Sequence, residues 1–125
     1  MQTTIISLAL VASSLVLGCG ASYLVPTQHL ADAQSAERSA VELGAANQPK
    51  AELHLQLARE QISQAGAAMR AGDNERADSL LLRARSDAEL AIALARDANA
   101  KTGAENATEQ SDAQKSTNAN QGANK

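Results

Sequence analysis

The groups in this chain best suited to covalent or acid–base chemistry are few: one thiol, Cys19, and two imidazoles, His29 and His54. A single cysteine leaves no intrachain disulfide, and no second Cys or His stands at metal-ligand spacing from it. His29 and His54 are 25 residues apart and fall in different helical segments, so they form no nucleophile–base pair by sequence proximity. Glu52 precedes His54 by two positions, which turns it to another part of a helix surface. Asp73 with Glu75, and Asp87 with Glu89, are paired acids, but general acid–base work needs a cleft that shifts their pKa values. The sequence builds no such cleft, and it lacks a Gly-rich phosphate loop, a serine elbow and a basic strip interleaved with aromatics. The expectation is a non-enzyme with no cofactor and no metal, whose histidines are partly exposed helix residues. Arg70, Arg76, Arg83 and Arg85 gather near one turn and form the candidate surface for an anionic polymer or lipid headgroup. Asp73, Glu75, Asp78 and Asp87 interleave with them, so the plainer reading is a solvated face of mixed charge.

Composition limits the scaffold that could position any of these groups. Of 125 residues, 28 are Ala, Tyr23 is the only aromatic, and Phe and Trp are absent. Ala buries little apolar area, and at about 25 cal/mol per Å² each contributes little. A thin helical core follows, against sheet sandwiches that lean on β-branched and aromatic residues, and against a deep aromatic-lined ligand pocket. The 11 Lys and Arg and 14 Asp and Glu all lie from Asp32 onward, with mixed signs and a net of −3. Nucleic-acid binding, which calls for a basic face, is not expected.

The uncharged run Ile5 to Leu17 has the length of a signal-peptide h-region and is short of the about 20 apolar residues a spanning helix needs. It ends in Val16-Leu17-Gly18-Cys19, which resembles the lipobox of bacterial lipoproteins. That resemblance implies cleavage between Gly18 and Cys19, an S-diacylglycerol on the Cys19 thiol and an acyl group on its new amine. The alternative is an inert thiol in an uncleaved anchor helix. Residues 1–18 are thus expected to be a signal peptide and 19–26 a tether. Gly20 and Ala21 provide no inner-membrane retention signal of the Asp type, so a periplasm-facing lipid anchor in the outer membrane is favoured for a Gram-negative cell.

After Pro26, apolar residues recur at helical spacing. Leu30, Ala33, Ala36 or Glu37, Ala40 and Leu43 define a helix over 28–46, ended by Gly44 and Asn47. Pro49 opens the next helix, expected over 49–71, with Leu55, Ala58, Ile62, Ala65 and Met69 inside and Leu53 and Leu57 widening the stripe. Glu52, Gln56, Arg59, Glu60, Gln64 and Arg70 face out. Gly72 suits a C′ position, and Asp73 or Asn74 an N-cap. A third helix over 74–99 carries the seam Ala77, Leu81, Ala84, Ala88, Ala91 and Ala95, flanked by Leu80, Leu82, Leu90, Ile92 and Leu94. The short turn makes the last two helices an antiparallel hairpin. The fold class is therefore all-α, an Ala-rich helical domain over 27–100. Residues 101–125, lacking Leu, Ile, Val and aromatics, are expected to be a disordered tail.

Four stretches carry a family resemblance: Ala31-Asp32-Ala33-Gln34-Ser35-Ala36, Glu42-Leu43-Gly44-Ala45, Leu57-Ala58-Arg59, and Ala71-Gly72-Asp73-Asn74-Glu75-Arg76-Ala77 continuing to Ala84-Arg85-Ser86-Asp87-Ala88-Glu89-Leu90-Ala91. Together they resemble the Ala-rich bacterial envelope domain called domain of unknown function 4398. The resemblance covers about residues 27–100 and implies a lipoprotein with a helical hairpin. Some members add a peptidoglycan-binding domain resembling the C-terminal part of outer-membrane protein A, for which this sequence has no room. The family supplies no catalytic residues. The turn followed by Ala77, Leu81 and Ala84 also resembles part of a tetratricopeptide unit, although no second copy follows at a 34-residue offset. Lys125 is shared with the major murein lipoprotein, a helix linked to peptidoglycan through a terminal Lys, but Gln121-Gly122-Ala123-Asn124 differs from that family's ending. The leading expectation is a structural or adaptor lipoprotein whose partners are the membrane, an envelope protein or a second copy, with a spacer linked to or binding peptidoglycan, or a tetratricopeptide-like binding module, as the alternatives.

Overall fold

A computed structural model describes residues 23–123, so the expected signal peptide, Gly18, Cys19 and Lys125 lie outside the described residues. Three α-helices follow one another: α1 (Thr27–Glu42), α2 (Pro49–Arg70) and α3 (Asn74–Ala123), with a 3₁₀ turn at Ala45–Asn47 between the first two. There are no strands among the described residues. The all-α expectation and the hairpin stand.

The helix ends follow from local chemistry. Gly44 takes φ +80°, a left-handed conformation that L side chains resist, and α1 stops at Glu42, before the expected 46. Pro49 starts α2, where its missing N–H costs nothing, and Glu52 sits in the first turn beside the helix's positive end. At the other end Gly72 adopts φ +78°, its N–H bonding Met69 O at 3.1 Å, while Asp73 N–H bonds Ala68 O at 2.9 Å. This Schellman arrangement satisfies carbonyls that the ending helix would otherwise orphan. Asp73 then caps α3, its Oδ1 accepting from Arg76 N–H at 3.2 Å.

Gly72 yields a clean prediction. A Cβ added there meets no heavy atom within 4 Å, so only backbone strain resists it. Gly72→Ala should lower unfolding stability by about 1–2 kcal/mol, the left-handed penalty. Gly66 lies inside α2 with room for a methyl group 3.5 Å from Arg70 Nη1. Gly66→Ala should stabilise by about 0.5–1 kcal/mol. Urea titrations of the two variants must move in opposite directions.

The core is almost entirely alanine. Leu55 and Leu81 are its only fully buried large side chains among the described residues. All six seam positions of α3, from Ala77 to Ala95, are wholly inaccessible. Two clusters divide the interior. Ala33, Ala65, Ala68, Ala77, Leu81 and Ala84 pack near the α2–α3 turn, and Ala40, Ala45, Ala51, Leu55, Ala91 and Ala95 pack at the opposite end. The pairing of α2 positions with α3 positions runs in opposite senses, so these helices are antiparallel. α1 runs parallel to α3 and rests more on it than on α2. Alanine permits backbones to approach toward the lower end of the 8–10 Å interaxial range, and dispersion across that short gap compensates for small side chains.

α3 departs from expectation in length. It continues for 50 residues to Ala123, so residues 101–123 are helix where disorder was expected. Every side chain from 101 to 121 is exposed, so burial does not hold this extension. Extending an existing helix carries no nucleation cost, and Ala, Gln, Glu and Lys propagate one readily. Lys101–Asp97 at 2.8 Å and Lys115–Asp112 at 3.1 Å add local pairs. The bundle stops near Ala98 because the seam's next steps are Thr102, Glu105, Glu109 and Asp112, which have nothing to bury.

Candidate functional site

The described chain begins at the end of the bundle that carries the α2–α3 turn. Asn74, the first residue of α3, donates its side-chain N–H to Tyr23 O at 2.9 Å, and Thr27 N–H bonds Val25 O at 2.8 Å. One turn further along, His29 Nδ1 pairs with Asp78 across the α1–α3 contact. These contacts hold Tyr23, Leu24 and Val25 in place while leaving them 51%, 89% and 52% exposed. The first described residue, Tyr23, therefore lies at the turn end, opposite to the end toward which α3 extends.

The four candidate arginines do not share one surface. Arg76 and Arg83 lie two turns apart on α3 and line an open recess with Gln64, Asp73, Glu75, Ser79 and Leu80. Arg85 faces α1 instead. Its Nε donates to Glu89 Oε1 at 2.7 Å and its guanidinium lies 3.6 Å from Asp32. The hydrogen bond to Glu89, and then that residue's charge, hold the Arg85 proton even more firmly than usual. Arg70 ends α2 at the turn. Acids accompany the arginines throughout, so the surface is mixed in charge.

The polar contacts that reading by composition missed are interhelical. His54 Nδ1 lies 2.9 Å from Asp87 Oδ1, and Gln61 Nε2 donates to Asp87 Oδ2 at 2.8 Å. Asp87 was read as a solvated charge, and instead it bridges two turns of α2. The signal lay in the turn: folding the chain about Gly72 brings Asp87 opposite the middle of α2, between His54 and Gln61. Glu37 with Arg59 at 2.7 Å ties α1 to α2, and Asn99 donates to Leu43 O at 3.1 Å near the far end. The seam itself is apolar and self-similar, so the part-buried contacts of Asp87 with His54 and Gln61 specify register where alanines cannot.

Asp87→Ala should therefore cost about 1–2 kcal/mol, the worth of hydrogen bonds to a partly shielded charged group. A double-mutant cycle with Gln61→Ala should give a coupling of about 0.5 kcal/mol or more. Strict additivity would remove Asp87 from the register-setting role.

No group of three or more His, Cys, Asp or Glu side chains is placed to hold a metal among the described residues. No helix among the described residues is long and apolar enough to cross a membrane. The arrangement presents surfaces: a helical bundle of mixed surface charge over an alanine core, an apolar strip at one end and an exposed helix at the other. A family model described as domain of unknown function (DUF4398) matches residues 28–107. Neither the curated proteins nor the solved structures give a match to the chain.

Proposed function

We propose, from the premise that the chain belongs to the DUF4398 family, that it is a non-enzymatic lipoprotein of the bacterial cell envelope, acting as a structural or adaptor module. The observation that carries this reading is Cys19, the only cysteine, placed directly after an uncharged run of signal-peptide length. Lipid attached there anchors the chain stably, because two or more acyl chains supply far more buried CH₂ than one. The bundle then serves as a rigid body on a tether, presenting α-helical surfaces to an envelope protein or to a second copy.

Mass spectrometry of the membrane fraction tests it. The expected N-terminus is Cys19 with diacylglycerol and an added acyl group, and Cys19→Ser should carry no acyl mass and retain residues 1–18. A chain still beginning at Met1 without acyl mass overturns the proposal.

The 50 residues of α3 favour one second reading, a spacer toward peptidoglycan. At 1.5 Å per residue the helix is about 75 Å long. Muramidase digestion followed by blotting decides, since only a wall-linked protein changes mobility. Unchanged mobility leaves the adaptor reading and removes the linked spacer.

A further inference from the structure

Three consecutive apolar residues, Tyr23, Leu24 and Val25, stand exposed at the turn end of the bundle, with Leu24 at 89%. A tether needs flexibility and solubility, not an aromatic and two aliphatics in a row. Nor are they loose, since Asn74 holds the Tyr23 carbonyl and Val25 O accepts from Thr27 N–H. We propose that this strip is a membrane-seating face: it enters the headgroup layer of the bilayer that holds Cys19, and the bundle stands on its α2–α3 turn with α3 directed away. The inference rests on the lipid anchor proposed above.

Reach selects the occupant. Tyr23 stands four positions after Cys19, and a fully extended chain covers at most about 3.3–3.6 Å per residue, or roughly 14 Å. The headgroup regions bring a bilayer of about 30 Å hydrocarbon thickness to about 40–45 Å. With Cys19 at the lipid surface, the strip cannot rise far beyond that layer. Tyr suits it by chemistry, with an apolar ring and a wet hydroxyl that favour the interface.

Charge at this end decides what holds the face down. Arg70 and Arg76 border the turn, and so do Asp73 and Glu75, while His29 and Asp78 occupy each other. The bordering charges cancel, so attraction to anionic lipid is not the driving term. Seating should persist at high salt, where a basic patch would release. Because Asn74 couples the strip to the first residue of α3, seating it also orients the bundle. The far end of α3 then stands up to about 75 Å from the lipid.

The full acylated chain, reconstituted in phosphatidylethanolamine–phosphatidylglycerol vesicles, provides the test. Tyr23 is the only aromatic residue, so its fluorescence reports this strip alone. Acrylamide quenching of Tyr23 should fall several-fold relative to unacylated protein lacking residues 1–19 in buffer, and headgroup spin-labelled lipid should quench it. Both results should be unchanged in 0.5 M salt (about 0.5 M suffices to shrink the Debye length below 5 Å). Leu24→Asp should restore acrylamide access while the protein still pellets with vesicles. A fluorophore on Ala119→Cys should show no energy transfer to an acceptor in the lipid. Acylated protein that pellets with Tyr23 fully accessible overturns the seating face alone, leaving the anchor intact. Efficient transfer from position 119 overturns the upright orientation and the proposal with it. Absence of acyl mass on Cys19 overturns both this inference and the anchor.

Discussion

Replacing Leu81 with alanine should lower the unfolding free energy by about 2–5 kcal/mol, the range for deleting a fully buried leucine side chain. Few positions in this chain could match that loss. Leu81 and Leu55 alone combine large volume with complete burial among the described residues, and Leu81 lies among five alanines in the cluster at the turn end. Its buried alanine neighbours cannot swing into the vacated space, and only the partly buried Leu30, Ile62, Met69 and Leu80 packed against the cluster can relax toward it, so the cost falls within that range. A bundle of about 75 residues has roughly 4–11 kcal/mol of total stability at 0.05–0.15 kcal/mol per residue. The variant should therefore melt at least about 10 °C lower. Leu90→Ala is the control, because Leu90 is 43% exposed and its loss should be much smaller. Equal losses at the two positions, measured by urea denaturation and circular dichroism, would show that the seam is not the stability centre.

The second large effect runs the other way in volume. Ala88 is wholly buried on α3, between the two clusters and belonging to neither, and Ala58 has the same standing on α2. The wholly buried positions at the waist of the bundle are thus alanine on both helices. Ala88→Leu inserts three carbons where neither helix has slack, and overpacking of this kind costs about 1–3 kcal/mol. The same substitution at the exposed Ala93 should stay within about 0.5 kcal/mol. A gain in stability at Ala88 would mean that the helices are not in close approach there.

How much of this was legible before the structure depends on the kind of signal. The α3 seam was legible in full, because a 4-3-4-3-4 spacing leaves one helical face and all six residues on it are buried. The α2 stripe was legible except at its edges: Ile62 and Met69 are half-buried where Ala51 and Ala68 are buried. Leu53, Leu82 and Leu90, read as flanking the core, stand largely exposed, since alanine backbones approach so closely that there is no room between helices for more leucine. The candidate surface was legible as a list of arginines but not as geometry. Arg85 turns toward Asp32 because α1 packs on α3, a tertiary fact that spacing within α3 does not carry. The helix beyond residue 100 escaped because composition speaks to burial, whereas propagation from an existing helix needs none. The match over residues 28–107 reaches seven residues past the expected domain edge at 100, into that same extension.

α3 is one uninterrupted element belonging to both the packed bundle and its exposed continuation, while the chain enters at the opposite end beside Asn74. The two ends of the described chain therefore leave the molecule in opposite directions along the axis of α3. A force drawing them apart slides α3 lengthwise past α1 and α2 and loads the whole seam together. Peeling one turn at a time would need a pull across that axis. Close-packed small side chains resist sliding because every step must lift many contacts at once, so a pull along that axis should meet more resistance than a pull across it.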